Sequence, residues 1–358
     1  MAESEGRRKE GGGSGGERRK KRILVAMGDI PPPHPDGLDI LRTELEVEVA
    51  THLLTEDELV ERIRGFDAVV LGAPRLTRRV IMAADTLELI SRGGIGVDNI
   101  DIPTATEKGV VVTNVLDTLS RTVAEHAFMF ILAITRDVAV ADRSVRTGRW
   151  KEFAKVGHHE ICGKTIGIIG LGGIGAATAE MARMGFGMKV LTHENSHLRP
   201  ERVRTAQAKV VPLDDLLRES DYVVLCVPLN HETERMIGER ELGLMKPGAY
   251  LINVARGKVV DQDALYRALA SKRIAGAALD VLAKQPPDPE DPLLKLDNVI
   301  FTPHDAAITI ETGREASVII ARSILDIFHG RRPGYPVNLL NPAVAEAYLE
   351  RARAGGPT

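Results

Sequence analysis

Residues Thr165–Gly175 read TIGIIGLGGIG, an apolar run that ends in three glycines spaced G-x-G-x-x-G, Gly170, Gly172 and Gly175. A strand that turns at once into a helix suits this spacing. The first glycine makes the tight turn, the second leaves the backbone bare for a pyrophosphate, and the third lets helix and strand pack closely. Ala176–Met184 favours a helix, and the amides of Gly173 and Ile174 at its start would face phosphate oxygens. A second strand, Lys189–Thr192, follows, and Glu194 stands about 20 residues past the last glycine, where a carboxylate meets the ribose hydroxyls and repels a 2′-phosphate. This block reads as a Rossmann unit for a dinucleotide, NAD in preference to NADP. His193 and Asn195 are alternative neighbours of the ribose, and Arg199 and Arg202 lie close behind.

Strands separated by helical stretches continue on both sides. Before the block, Arg22–Met27, Phe66–Leu71, Leu87–Ser91 and Val110–Thr113 read as strands and Glu56–Ile63 as a helix. After it, Tyr222–Cys226, Tyr250–Val254, Gly276–Leu279 and Val299–Phe301 read as strands. Such alternation implies βαβ units and parallel sheets, and 358 residues exceed what one core organises. The expected fold is therefore α/β, with two doubly wound parallel-sheet domains. Thr122–Thr135 is a mostly apolar core helix placed to link them, and Ile310–Phe328 is an apolar-periodic helix that carries the chain back to the first block. Val138–Gly163 is polar, holds the single tryptophan, Trp150, and reads as a surface loop or an arm against another subunit. Residues 1–21 have almost no large apolar side chains and read as a disordered tail.

Composition removes several functions. The net charge of -3 creates no positive field for nucleic acid. No apolar run reaches the roughly 18–20 residues that span a bilayer, and the N-terminus lacks a signal-peptide core. Two cysteines cannot build a disulfide framework, and no metal site is expected from them. A cytoplasmic location follows by default.

The segments RGGIGVDNID (92–101), TVAEHAFMFILAITR (122–136), the glycine block, CVPLNHETERMI (226–237), MKPGAYLINVARGKVVDQDAL (245–265), GAALDV (276–281) and TPHDAAIT (302–309) together carry a resemblance. From Arg22 to Pro342 the chain resembles the D-isomer-specific 2-hydroxyacid dehydrogenases, in a phosphoglycerate dehydrogenase-like form. The resemblance implies a Rossmann NAD domain (122–305) inserted into a flavodoxin-like substrate domain (22–121 plus 306–342), a C-terminal tail (343–358) and a homodimer formed partly through the arm. It implies that Arg256 holds the substrate carboxylate and polarises the carbonyl, and that His304 is the acid/base. It implies further that Asp280 receives the nicotinamide carboxamide, that Val227, Pro228, Thr233 and Val254 touch the cofactor, and that Ile95 and Gly96 bind the substrate carboxylate. Taken alone, Arg256 could cap a helix and His304 could be an ordinary turn histidine.

One departure bears on the chemistry. Where the family places a glutamate that pairs with the histidine, DVLAKQPPDPEDPLL has Gln285. A glutamate would raise the histidine pKa, whereas glutamine orients the ring without the charge. His304 is therefore expected to stay neutral to lower pH, which suits alcohol oxidation. Asp305 follows His304 where relatives carry an apolar residue, and either restores some charge or faces solvent. Formate dehydrogenases of the family share the glutamine, but their asparagine before the linking helix is replaced here by Leu119. The arginine that phosphoglycerate dehydrogenases present is replaced by Leu71, and Thr358 leaves no room for a regulatory domain; Arg75, Arg78 and Arg79 either meet an anion or cover a helix start. The leading expectation is hydride transfer between NAD and a small acidic 2-hydroxy or 2-oxo acid. The alternatives are a specialised phosphonate, phosphite or formate dehydrogenase, and a non-catalytic NAD-sensing protein of the corepressor type.

Overall fold

A computed structural model of the chain describes residues 19–28, 33–115, 118–150, 158–193, 195, 197–335 and 337–354. The first lobe holds β1 (Arg22–Ala26), β2 (Glu46–Val49), β3 (Ala68–Leu71), β4 (Leu89–Arg92) and β5 (Val111–Val115). The second holds β6 (Thr165–Ile169), β7 (Lys189–His193), β8 (Lys209–Val211), β9 (Tyr222–Leu225), β10 (Tyr250–Asn253), β11 (Gly276–Leu279) and β12 (Val299–Phe301). The last strand, β13 (Val337–Leu339), returns to the first lobe. The sheet orders are β13-β5-β4-β3-β1-β2 and β12-β11-β10-β9-β6-β7-β8. Every pairing is parallel except β13 against β5. The two doubly wound parallel sheets expected from the alternation are present.

Central strands are buried on both faces, so their sequences are continuous apolar runs. On β1, Ile23 and Val25 enter one core and Leu24 and Ala26 the other. β2, β8 and β13 were not anticipated, and all three lie on sheet edges. An edge strand buries less and carries charge, as EVEV in β2 and Lys209 in β8 do, so its apolar signal is weak.

The linking helix runs Ser120–Thr135 and packs Val123, Ala127, Phe128, Phe130 and Ile131 into a core of the second lobe. The return helix, Ile310–Phe328, sends Ile319, Ile320, Ile324 and Ile327 into the first lobe. The expected C-terminal tail is instead largely a helix, Pro342–Arg353, because Ala345, Tyr348 and Leu349 fill the same core. Tyr348 also donates to Glu88 at 2.7 Å. At the other end Arg19 pairs with Asp67 at 2.6 Å and Lys21 with Glu88, so these residues of the expected tail are tied to the first sheet. Residues 1–18 lie outside the described residues. Of the expected arm, Val138–Arg146 is a helix, and 151–157 lie outside the described residues.

Candidate active site

β6 ends at Gly170, whose φ of +99° lies in the glycine-favouring region. A Cβ here would come within 2.7 Å of the Cys226 carbonyl carbon and 2.8 Å of Val227. At Gly175 a Cβ would overlap the Gly170 carbonyl oxygen. Gly172 differs: it is the N-cap of the Gly173–Phe186 helix, no side chain caps that helix, and a Cβ there would meet no heavy atom within 4 Å. The helix therefore presents unengaged amides over open backbone, which fits a dinucleotide pyrophosphate. Across from this turn, Thr233 donates to the Pro228 carbonyl at 2.6 Å and fixes the loop after Val227. Burial pushes the neighbouring Cys226 thiol up to about 12, so it is inert as a nucleophile. Glu194 lies outside the described residues.

Beyond the glycine turn a cavity of about 220 Å³ opens between the lobes. Ile174, Val254, Arg256, Asp280 and His304 of the second lobe and Ile95 and Gly96 of the first line it together. Arg256 follows β10, and its Nε donates to Asp98 at 2.9 Å while Nη1 holds the Ala255 carbonyl at 2.8 Å. Burial works against ionisation of Asp98, but Arg256 outweighs it and keeps the carboxyl below its ordinary range. The guanidinium lies so close over Gly96 that a Cβ there would overlap Nη2. The glycine is thus a steric condition for the arginine's position.

Two residues of this group escaped the sequence reading, Arg92 and Asp98, although both stand within the matched RGGIGVDNID segment. Arg92 Nε donates to the Gly96 carbonyl at 3.0 Å and Nη1 to the Leu71 carbonyl at 3.1 Å, so it staples the loop to the end of β3. Burial, and then Arg256, push its pKa down to about 10, which leaves it charged at neutral pH. Arg78 and Arg79 do not line the cavity; they pair with Glu107 and Asp57 on the surface, and Arg75 is exposed.

His304 follows β12 with a left-handed backbone, φ +60°. That conformation is costly for a side chain with a Cβ, and Asp280 holds it. The Asp280 carbonyl accepts from His304 N at 2.8 Å, Oδ1 accepts from Asp305 N at 2.9 Å, and Oδ2 from Ala306 N at 3.2 Å. Thr302 adds its hydroxyl to Oδ1 at 2.6 Å, and His126 of the linking helix lies 3.0 Å from that hydroxyl. The Thr302 proton is engaged by Asp280, so His126 Nε2–H is the donor in this chain. Gln285 Oε1 lies 2.8 Å from His304 Nδ1. Burial chiefly, and then Arg256, lower the His304 pKa below its ordinary value. Asp305 is partly exposed and turns toward His126, its buried Oδ1 4.0 Å from Nε2 and without a hydrogen bond.

Among the described residues no helix is long and apolar enough to cross a membrane. Residues 128–306 match the family model described as "D-isomer specific 2-hydroxyacid dehydrogenase, NAD binding domain". The chain is 41% identical over 312 residues to a glyoxylate reductase of Thermococcus onnurineus, covering 85% of this chain and 92% of that protein. It is 40% identical over 314 residues to a D-3-phosphoglycerate dehydrogenase of Methanocaldococcus jannaschii, covering 87% of this chain but only 59% of that longer protein. Among solved structures, a glyoxylate reductase from Paecilomyes thermophila superposes with a TM-score of 0.77 at 30% identity, covering 86% of this chain and 95% of that one. An acyclic imino acid reductase in complex with NADPH and D-Arg gives 0.79 at 29% identity, covering 89% and 100%. The cofactor is accordingly a nicotinamide dinucleotide and the chemistry oxidoreduction of 2-hydroxy acids; the chain belongs to the D-isomer-specific 2-hydroxyacid dehydrogenase family.

Proposed function

We propose that this chain is an NAD-linked dehydrogenase of small 2-hydroxy acids in which Arg256 holds the substrate carboxylate and His304 moves the proton at the C2 oxygen. The observation that carries the proposal is a single cavity that gathers Arg256, His304 and the Ile95–Gly96 backbone, with the glycine turn beside it. When bound, the nicotinamide accepts or returns the hydride. Gly173 and Ile174 amides bind the pyrophosphate, Val227, Pro228, Thr233 and Val254 line its path, and Asp280 Oδ2, which accepts one protein hydrogen bond, has room for the carboxamide N–H. Glu194, the residue that follows His193 in the sequence, selects NAD over NADP.

The two ring nitrogens of His304 have different tasks. Neutral imidazole donates Nδ1–H to Gln285 Oε1, which leaves the Nε2 lone pair free for the substrate hydroxyl. The lowered pKa keeps this form at neutral pH, which suits the ring as the base in alcohol oxidation. Exposed Val138, Val145 and Trp150 on and after the Val138–Arg146 helix support a homodimer formed through that arm. The test is NADH formation with a panel of D-2-hydroxy acids. Turnover by the wild type and its loss in His304→Ala are expected; NAD binding without turnover of any member would sink the enzyme reading.

A further inference from the structure

We infer that the substrate carries one acid group and an apolar side chain beyond C2, in place of a bare hydrogen or a second charged group. This rests on the proposed roles of Arg256 and His304. Arg92 and Arg256 line the cavity beside Asp98; the other carboxylate of the lining, Asp280, is taken up by Thr302, Asp305 and Ala306, so two arginines against Asp98 leave one positive charge locally. That charge matches one substrate carboxylate. Arg92 already commits Nε and Nη1 to carbonyl oxygens, so it serves the loop first.

Among the described residues, the rest of the wall on the first-lobe side is largely apolar. Met27 after β1, Pro33, Ile308 and Ile320 line the cavity there. The hydroxyls among them have protein partners. Ser317 Oγ donates to the His34 carbonyl at 3.0 Å, and Thr312 Oγ1 meets Thr122 Oγ1 at 2.7 Å and Thr309 Oγ1 at 2.9 Å. Among the described residues of this region a phosphate or second carboxylate would find no side-chain donor of its own and would lose its hydration. An alkyl group gains by the same transfer, because it leaves water for apolar neighbours. Gly313 on the return helix also lines the cavity, and a Cβ there would meet no heavy atom within 4 Å. The first carbon of a side chain at 313 therefore takes up space without displacing protein atoms.

The test uses the full-length protein with NADH and the series glyoxylate, pyruvate, 2-oxobutanoate and 2-oxopentanoate, with oxaloacetate and 3-phosphohydroxypyruvate as dianions. The expected result is a rise in kcat/KM of about fourfold per methylene along the series, with both dianions at least about tenfold below 2-oxobutanoate. Gly313→Leu is expected to lower kcat/KM for 2-oxopentanoate by about tenfold or more and to change glyoxylate by less than about twofold. Glyoxylate or a dianion as the best substrate overturns the inference while leaving the dehydrogenase reading intact, as does an equal loss across the series in Gly313→Leu. Failure of every 2-oxo acid to oxidise NADH sinks the dehydrogenase reading itself, and this inference with it.

Discussion

His304 Nδ1 and Gln285 Oε1 stand 2.8 Å apart, so the ring of the proposed acid/base is oriented by an uncharged partner. Gln285→Glu adds a negative charge at the same distance and stabilises the imidazolium. The sign is fixed: the His304 pKa, now below its ordinary value because of burial and Arg256, should rise. Oxidation requires the neutral ring, so the acidic limb of its pH–rate profile should move to higher pH. Reduction requires the protonated ring, so its rate near neutral pH should increase. Profiles in both directions for wild type and variant check this; an unmoved acidic limb would remove charge from the explanation of the dyad.

The contact between Gly96 and Arg256 gives a steric prediction. Gly96→Ala places a methyl group where Nη2 now sits, so the guanidinium must shift and its bond to Asp98 must change. Displacement of a substrate-holding group on the scale of an ångström can cost about 100-fold. A fall in kcat/KM of about tenfold to 100-fold is expected, with the melting temperature nearly unchanged. Steady-state kinetics beside calorimetry separate the two effects, and a loss of stability without a kinetic effect would contradict the prediction.

Asp280 supports the left-handed backbone of His304 as well as facing the cavity. Asp280→Asn puts an amide N–H against at least one of the donors from Thr302, Asp305 and Ala306. A loss of about 1–3 kcal/mol in urea unfolding should follow from the unsatisfied donor, together with a drop in kcat larger than any rise in the KM for NAD. If only the KM for NAD changes, the carboxylate serves the carboxamide alone and its hold on the His304 loop is immaterial.

The three glycines of the nucleotide turn should separate on substitution. Gly172→Ala meets no protein atom, so the fold should stand while the KM for NAD rises by about tenfold or more from intrusion on the pyrophosphate. Gly175→Ala overlaps a backbone carbonyl and should destabilise the domain whether or not NAD is present. Unfolding curves and NAD titrations for the two variants distinguish these outcomes.

Much of this was legible in the chain because buried elements write strong patterns. The glycine turn, the central strands and the Ile310–Phe328 helix stand where periodicity and spacing put them. What was missed lies where burial is partial or contacts are distant in sequence. β2, β8 and β13 are edge strands, and the Pro342–Arg353 helix docks on a core assembled from the other end of the chain. Arg92 and Asp98 looked like loop residues. Their importance comes from a contact between Asp98 and Arg256, 158 positions apart, which no local pattern encodes. The direction of Asp305 was equally illegible, since it depends on His126 reaching across from the linking helix.

The pair formed by Asp98 and Arg256 joins residues from opposite lobes, and this changes what an incoming acid must do. The arginine waits already docked on a carboxylate of the protein's own, its rotations largely spent before any ligand arrives. An acid that takes up the remaining face of the guanidinium is spared about 0.5–1.5 kcal/mol of side-chain ordering. One that pulls the arginine away must instead replace Asp98 while unfastening a clasp between the lobes. Under the proposed role of Arg256, holding the acid and clasping the two lobes fall to one side chain.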